Sequence, residues 1–159
     1  MKTIKKHAGI YTLHAEQKLP ISLNDAWEFF SNPENLEKIT PPSMHFKITS
    51  GEIVPMYPGQ IITYHVSPFP GYTTHWVTEI TQVKEKHFFV DEQRFGPYKM
   101  WHHEHLFQEI ADGTLITDKV SYKLPFGALG HLAHHLFVQG QLEHIFAYRY
   151  NYLINYLKK

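Results

Sequence analysis

Two histidines in one strand-like run are the side chains best placed for chemistry. His103 and His105 are two positions apart within the run His102-His103-Glu104-His105. Because side chains alternate along a strand, both lie on the same face of a sheet. This spacing occurs in some zinc sites, and imidazole also acts as a general base near neutral pH. The sequence supplies no evident third ligand. We therefore predict no metal site and no cofactor, with ordinary hydrogen-bonded histidine as the simplest interpretation.

A predicted hairpin places an acid and a phenol on the same face as these histidines. Residues 98–110 and 114–124 both have strand-like sequences, and the Asp-Gly pair between them is typical of a two-residue turn. If residues 112–113 form that turn, the cross-strand pairs are fixed and alternate between the two faces. One face then carries the pairs Phe107–Asp118, His105–Val120, His103–Tyr122 and Trp101–Leu124, whereas the other face is mostly polar. We therefore predict that the aromatic, histidine-containing face is the inner one.

Asp118 determines what this inner face can do, because a carboxylate among apolar side chains needs a partner or a raised pKa. The candidate partners are the histidines, Tyr122, and Arg149 near the end of the chain. The sequence leaves three interpretations open. The first is a buried polar network that fixes the strands to the last helix, and the second is a polar patch that orients a ligand. The third is general acid–base catalysis by His103, His105 or Asp118.

The last part of the chain, residues 126–159, has the apolar periodicity of a long helix. Apolar residues recur three and four positions apart, and the pattern resumes after a slip near Gly140, where we expect a bend. The second half, residues 142–150, is predicted to form a cavity wall, with Phe146 and Arg149 nearest the histidines. The first half is predicted to pack on the sheet or to border an opening. The residues concerned there are Leu132, Leu136 and Phe137.

The rest of the chain reads mainly as strands. A strand at residues 10–19 precedes two short helices at 22–30 and 34–39, which prolines delimit. Six further strands are predicted between turn signals, at residues 44–50, 59–66, 73–83, 87–93, 98–110 and 114–124. The predicted fold is α+β. A curved antiparallel sheet of about seven strands wraps round the long C-terminal helix in a single domain, residues 1–159.

Composition restricts the function classes. Lys plus Arg and Asp plus Glu number 15 each, and this neutral balance argues against nucleic acid or an anionic membrane surface as a partner. Cysteine is absent, which excludes disulfides and thiolate chemistry. The first residues lack a signal-peptide core and no apolar run reaches transmembrane length, so we expect a cytoplasmic protein. Aromatic residues make up 15% of the chain, which indicates an aromatic-lined cavity.

Several motifs resemble a known family. The quoted runs are Phe89-Val90-Asp91-Glu92-Gln93, Trp101-His102-His103-Glu104-His105 and Leu124-Pro125-Phe126-Gly127. With the order of elements above, they resemble the SRPBCC ligand-binding proteins of the START/Bet v1-like superfamily, in the subgroup sometimes labelled cell division inhibitor-like. The resemblance covers about residues 13–148 and implies a helix-grip fold with a cavity between sheet and helix. The superfamily includes lipid carriers, hormone receptors and aromatase/cyclases, so the fold does not decide the activity.

We therefore predict that the chain binds a small, largely hydrophobic ligand, lipid-like or aromatic, without catalytic turnover. One alternative is a cyclase/aromatase- or hydrolase-type enzyme with His103 or His105 as base and Asp118 as its orienting group. The other is a protein-interaction module, which includes a homodimer formed through exposed aromatic residues. The predicted ligand-binding residues are Tyr64, Trp76, Trp101, His103, His105, Phe107, Asp118, Tyr122, Phe146 and Arg149.

Overall fold

The computed structural model describes residues 2–51, 54–69 and 71–156. The strands are β1 (Lys2–His7), β2 (Ile10–Leu19), β3 (Lys47–Ile48), β4 (Gln60–Phe69), β5 (Tyr72–Lys84), β6 (Phe88–Phe95), β7 (Met100–Ile110) and β8 (Gly113–Lys123). Between β2 and β3 lie the helices α1 (Leu23–Phe30) and α2 (Asn35–Lys38) and a 3-10 turn (Pro42–Met44). The C-terminal helix consists of α3 (Gly127–Ala133), a π-helical segment (His134–Val138) and α4 (Gln139–Tyr156). The predicted end of this helix at residues 157–159 lies outside the described residues.

All eight strands form one antiparallel sheet in the order β1-β2-β8-β7-β6-β5-β4-β3. The predicted α+β fold, an antiparallel sheet with a long C-terminal helix, is confirmed. The strand count is eight instead of about seven, because β1 was not predicted. Its residues lack apolar alternation since β1 is a mostly exposed edge strand that pairs with β2. β1 and β3 form the two edges, so within the described part of the chain the sheet is open.

The β7–β8 hairpin differs from its predicted register by two residues. Ala111 and Asp112 form the turn and Ile110 pairs with Gly113, which begins β8. Gly113 has φ 137°, and a Cβ there would lie 2.1 Å from the Leu19 carbonyl oxygen, so the position requires glycine. A two-residue shift keeps every side chain on its predicted face. The inner-face pairs are Trp101–Tyr122, His103–Val120, His105–Asp118 and Phe107–Ile116.

Two clusters of buried apolar side chains form the core. The first packs α1 on β7 and β8 and includes Trp27 and Phe107. Its helix begins at Ser22, whose Oγ accepts a hydrogen bond from the Asp25 amide at 3.1 Å, as an N-cap should. The second cluster joins β2 and β8 to the C-terminal helix and includes Leu142. The sheet is therefore covered at two separate places, with space left between them.

The C-terminal helix was expected to bend near Gly140. Its irregularity lies just before that residue, in the π-helical segment His134–Val138. A π turn contains more residues than an α turn, so it shifts the phase of the apolar stripe. That shift accounts for the slip in the sequence pattern. The buried side of the helix is formed by His134, Val138, Leu142, Phe146, Arg149 and Leu153.

The first half of this helix is more exposed than predicted. Two placements were predicted for Leu132, Leu136 and Phe137, on the sheet or at the border of an opening. Their side chains are 58%, 61% and 59% exposed, so the first placement is wrong. Gly130 and Ala133 face the interior instead. Leu136 and Phe137 lie within the π segment and Leu132 precedes it, so all three are out of phase with the apolar stripe that α4 follows. Among the described residues, none of the helices is both long and apolar enough to cross a membrane.

Candidate functional site

A cavity lies between the inner sheet face and the C-terminal helix. Its volume is about 480 Å³, within the range of small-molecule binding sites. Side chains of β4 to β7, of α1 and α2, and of both halves of the C-terminal helix line it. Its aromatic lining includes Tyr64, Trp76, Phe89, Tyr98, Trp101 and Phe146. The sheet, the two short helices and the C-terminal helix thus enclose a largely apolar space.

The polar atoms of the aromatic wall bond within the wall. The Trp76 indole N–H donates to Thr78 Oγ1 at 3.1 Å, and the Tyr64 hydroxyl lies 3.0 Å from the same oxygen. Tyr64 and Trp76 are cross-strand partners, and Trp76 meets Trp101 edge to face with ring centroids 5.4 Å apart. Burial also raises the pKa of the Tyr64 phenol, which keeps it neutral. This part of the cavity therefore offers ring surfaces to a ligand.

Most of the predicted ligand-binding residues lie on the cavity wall. They are Tyr64, Trp76, Trp101, His103, His105, Phe146 and Arg149. The other three predicted residues do not line it. Phe107 packs in the first core cluster, with its ring centroid 5.4 Å from that of Trp27. The Tyr122 hydroxyl bonds to His134 Nε2 at 2.8 Å in the second core cluster, and Asp118 lies behind the two histidines.

Five ionisable side chains form one buried group, which we call the polar cluster: Asp91 of β6, His103 and His105 of β7, Asp118 of β8, and Arg149 of α4. His103 Nε2 lies 2.9 Å from Asp118 Oδ1, and His105 Nε2 lies 2.8 Å from Asp91 Oδ2. The Arg149 Nη1–H group donates to the same Asp118 oxygen at 3.2 Å. The strand register brings the first four together, and the buried side of α4 supplies the guanidinium.

Each histidine of the polar cluster lies between both carboxylates. His103 Nδ1 is 3.4 Å from Asp91 Oδ2, and His105 Nδ1 is 3.1 Å from Asp118 Oδ1 without a well-aligned hydrogen bond. The two imidazole rings lie 3.7 Å apart at an angle of 34°. His105 stacks on Phe89 of the first core cluster, and His103 meets Phe146 of the second. Packing on both sides thus fixes the orientation of the two rings.

Asp91 is the member of the polar cluster that sequence reasoning missed. It is a cross-strand partner of His103, and it lines the cavity. The sequence did contain one signal, since Phe89 and Asp91 alternate like the residues of an inner face. No tight-turn pair separates β6 from β7, so the register between them was not predictable from residues 94–97.

The polar cluster keeps its carboxylates ionised. Burial by itself would raise the pKa of Asp118, but the Arg149 guanidinium and the two histidines outweigh burial and hold that pKa well below its usual range. Burial also opposes ionisation of Asp91, yet the neighbouring His103 and His105 lower its pKa. Both groups therefore remain anionic at neutral pH, although neither is in contact with bulk water to any large extent.

The two histidines have opposite protonation preferences. Burial, together with the charge on His105, lowers the pKa of His103. Burial acts against the charged form of His105 as well, but its contacts with Asp118 and Asp91 raise its pKa. When His105 is protonated, two carboxylates face two cations and the buried charges balance. The arrangement can therefore hold a proton at the cavity wall and accept or donate hydrogen bonds there.

The outer face of the same strands is polar, as predicted. His102 Nδ1 lies 2.9 Å from Glu92 Oε1, and Lys119 Nζ donates to Glu104 Oε1 at 2.8 Å. Alternation along β7 thus separates solvated ion pairs on one side from the polar cluster on the other. The prediction of which face is the inner one is confirmed.

Comparisons with known proteins give structural likeness and no sequence match. No family model and no curated protein matches this sequence. The structure is similar to that of protein Ms6760 from Mycobacterium smegmatis, with a TM-score of 0.68 at 20% identity over 99% of this chain and 98% of that chain. A protein from Rhodobacter sphaeroides gives 0.70 at 13% identity over 99% of both chains.

A third similar structure is that of Ara h 8.0201, with a TM-score of 0.62 at 15% identity over 92% of this chain and 99% of that chain. Ara h 8 is a homologue of Bet v1. At these identities the likeness concerns the backbone arrangement, and function does not follow from it. The open antiparallel sheet, the paired short helices and the C-terminal helix agree with that likeness. The chain therefore has a Bet v1-like, helix-grip fold.

Proposed function

We propose that this chain binds a small, largely hydrophobic molecule, aromatic or lipid-like, in the cavity between the sheet and the C-terminal helix. One observation carries the proposal: an aromatic-walled cavity of about 480 Å³ whose ionisable groups converge on one side. Apolar burial would supply most of the binding energy, at about 25 cal/mol per Å² removed from water. A ligand that buries roughly 300 Å² of apolar surface gains about 7.5 kcal/mol before the costs of association.

The polar cluster would orient such a ligand. The Asp91 side chain is 16% exposed, against 6–8% for His103, His105 and Asp118, so it is the member most open to the cavity. Arg149 Nε is buried and has no hydrogen-bond partner among the described residues. A ligand hydroxyl or carbonyl at this end would form hydrogen bonds that the apolar remainder of the cavity does not offer.

The sequence motifs support a finer assignment within the fold. The runs at residues 89–93, 101–105 and 124–127 resemble the SRPBCC subgroup sometimes labelled cell division inhibitor-like. We extend the proposal to that subgroup because the quoted runs contribute Asp91, His103 and His105 to one site. The physiological ligand is then to be sought among the hydrophobic metabolites of the cell that makes this protein.

Ligand binding is tested with a pair of neighbouring tryptophan substitutions. Ala133 lines the cavity, whereas Leu132 next to it is exposed and does not. Ala133→Trp should fill cavity volume and abolish binding, and Leu132→Trp should leave binding unchanged. The measurements are titration with a hydrophobic fluorescent probe, and native mass spectrometry after incubation with a lipid extract. Absence of saturable binding by the natural sequence, or equal binding by both variants, would refute the proposal.

One observation favours a second candidate function, an enzyme with a histidine base. His103 and His105 both line the cavity, and Asp118 is in hydrogen-bond reach of His103. This is the geometry of a base with its orienting carboxylate, as a cyclase/aromatase- or hydrolase-type reaction requires. The test is the mass of the bound ligand after incubation with the natural sequence and with His103→Gln. A mass change that requires His103 supports the enzyme, and an unaltered ligand in both samples supports binding alone.

A further inference from the structure

Three metal-ligand atoms converge at the cavity wall. Asp91 Oδ2 lies 2.8 Å from His105 Nε2 and 3.4 Å from His103 Nδ1. One ligand atom from each of the three residues lies within 4.8 Å of the others. Two ligands of a tetrahedral ion with bonds of about 2.0–2.1 Å are roughly 3.3 Å apart. The two distances from the Asp91 oxygen lie on either side of that separation.

The second nitrogen of each histidine lies close to Asp118, and that of His103 is hydrogen-bonded to it. His103 Nε2 is 2.9 Å and His105 Nδ1 is 3.1 Å from Asp118 Oδ1. Metal-binding histidines usually donate their other N–H to a carboxylate, which fixes the tautomer and the ring orientation. The Arg149 Nη1–H group donates to the same oxygen at 3.2 Å. Asp118 is therefore placed as the outer partner of both histidines, behind the cavity wall.

A count of protons shows what the inner side lacks. If each histidine is neutral and carries its one N–H on the nitrogen beside Asp118, then the lone pairs of His103 Nδ1 and His105 Nε2 both face the Asp91 carboxylate. Three electron-pair donors at these distances repel one another unless a cation lies among them. A single proton on His105 satisfies the 2.8 Å contact and leaves the 3.4 Å contact unsatisfied. A metal ion satisfies both contacts at once.

We propose that Asp91, His103 and His105 bind a divalent transition-metal ion. Imidazole and carboxylate ligands without thiolate suit Zn²⁺, Fe²⁺ and Co²⁺, and they suit Mg²⁺ and Ca²⁺ poorly. Three protein ligands leave open coordination positions, as catalytic metal sites have. Because all three residues line the cavity, those positions face it, and a ligand oxygen or nitrogen there would reach the ion. The site stands on its own geometry and does not require that the cavity binds a hydrophobic molecule.

The test begins with protein that a chelator has freed of metal. Zn²⁺ is titrated by calorimetry and Co²⁺ by its visible absorption, both at pH 7.5. We expect each chain to bind one metal ion tightly. Asp91→Asn, His103→Gln and His105→Gln should each weaken this binding by more than about 100-fold, because loss of a direct ligand exceeds the 10–100-fold typical for an outer partner. Asp118→Asn should weaken it by about 10–100-fold, as an orienting residue does.

Surface histidines require a matched control. His102 lies on the outer face of the same strand, and the exposed His65 and His75 rings are 5.1 Å apart. His102→Gln and the double variant His65→Gln/His75→Gln should keep the bound metal ion. The proposal would be overturned if the Asp91, His103 and His105 variants kept the bound metal ion and the His65/His75 variant lost it.

A second measurement does not depend on the variants folding. Crystals of the natural sequence soaked in Zn²⁺ should show an anomalous peak between the three side chains. Absence of that peak at full occupancy of surface sites would also overturn the proposal.

Discussion

Replacing Arg149 by methionine should destabilise the fold, because the buried Asp118 carboxylate then loses its guanidinium partner and keeps only the two histidines beside it. Arg149 is 7% exposed and Asp118 is 5% exposed, and 3.2 Å separates their nearest atoms. Methionine retains much of the length of the side chain and its apolar contact with Phe146, over whose ring the guanidinium lies at 5.0 Å. Removal of one partner of a buried ion pair costs about 3–5 kcal/mol. At about 2–4 °C per kcal/mol for a chain of this size, Tm should fall by about 6–20 °C.

A double-mutant cycle separates the charge effect from lost packing. Urea unfolding at pH 7 with EDTA present would compare the natural sequence, Arg149→Met, Asp118→Asn and the double variant. Because Asp118→Asn removes the stranded charge, the double variant should be more stable than Arg149→Met alone. Free energies of unfolding that simply add, or a cost below about 1 kcal/mol for Arg149→Met, would refute the reasoning.

The pH dependence of the same variant gives an independent reading. In the natural sequence the pKa of Asp118 is held well below its usual range, so its contribution is present above the unfolded pKa and is lost as pH falls through the folded one. Without the guanidinium, only the two histidines oppose burial, so the pKa of Asp118 should be higher in Arg149→Met than in the natural sequence. The loss of unfolding free energy caused by Arg149→Met should therefore be smaller at pH 5 than at pH 8. A deficit that does not change with pH would contradict this account.

Three further outcomes are expected. His134 is buried, and burial together with His135, His131 and Lys6 lowers its pKa from 6.5 to about 4. The unfolded chain therefore binds a proton between these values that the folded chain does not. Stability should fall as pH drops through this window by at most about 3 kcal/mol, and His134→Gln should flatten the urea-midpoint profile. Phe107→Ala should cost about 3–5 kcal/mol in urea unfolding and leave probe affinity unchanged at a temperature where the variant is folded, because Phe107 is core and not lining. Gly113→Ala should lower Tm by several degrees, since the added Cβ would meet the Leu19 carbonyl.

The sequence was enough to predict which residues of β7 and β8 lie on the inner face of the sheet. It was not enough to predict the cross-strand register of the two strands. Asp112-Gly113 indicated a hairpin, but the turn is Ala111-Asp112, and Gly113 already pairs with Ile110. Strand faces depend on whether the shift is odd or even, so an error of two residues preserved the meeting of His103, His105 and Asp118. The inner face was predictable because alternation is a local property, whereas the pairing depends on backbone angles at a single glycine.

Other parts of the site depend on contacts that are distant in sequence. Asp91 joins the polar cluster through the β6–β7 register, and the sequence between these strands contains no tight-turn pair from which that register could be predicted. Tyr122 shares the inner face but bonds to His134, because the C-terminal helix covers that end of β8. Periodicity reports which side of an element is apolar and does not report what lies opposite it. The sequence could therefore not show whether Phe107 and Tyr122 pack in the core or line the cavity.

The π-helical segment makes the cavity wall that α3 contributes sensitive to a change in chain length. Deleting one residue from His134–Val138 would let α3 and α4 join as a continuous α-helix. Each residue of an α-helix turns by about 100° around the axis, so every side chain of α3 would be displaced by that angle relative to α4. Gly130 would leave its close approach to the Pro125 carbonyl, where a Cβ would come within 2.1 Å. Homologues one residue shorter in this segment should therefore present different α3 side chains to the cavity, with the polar cluster unchanged.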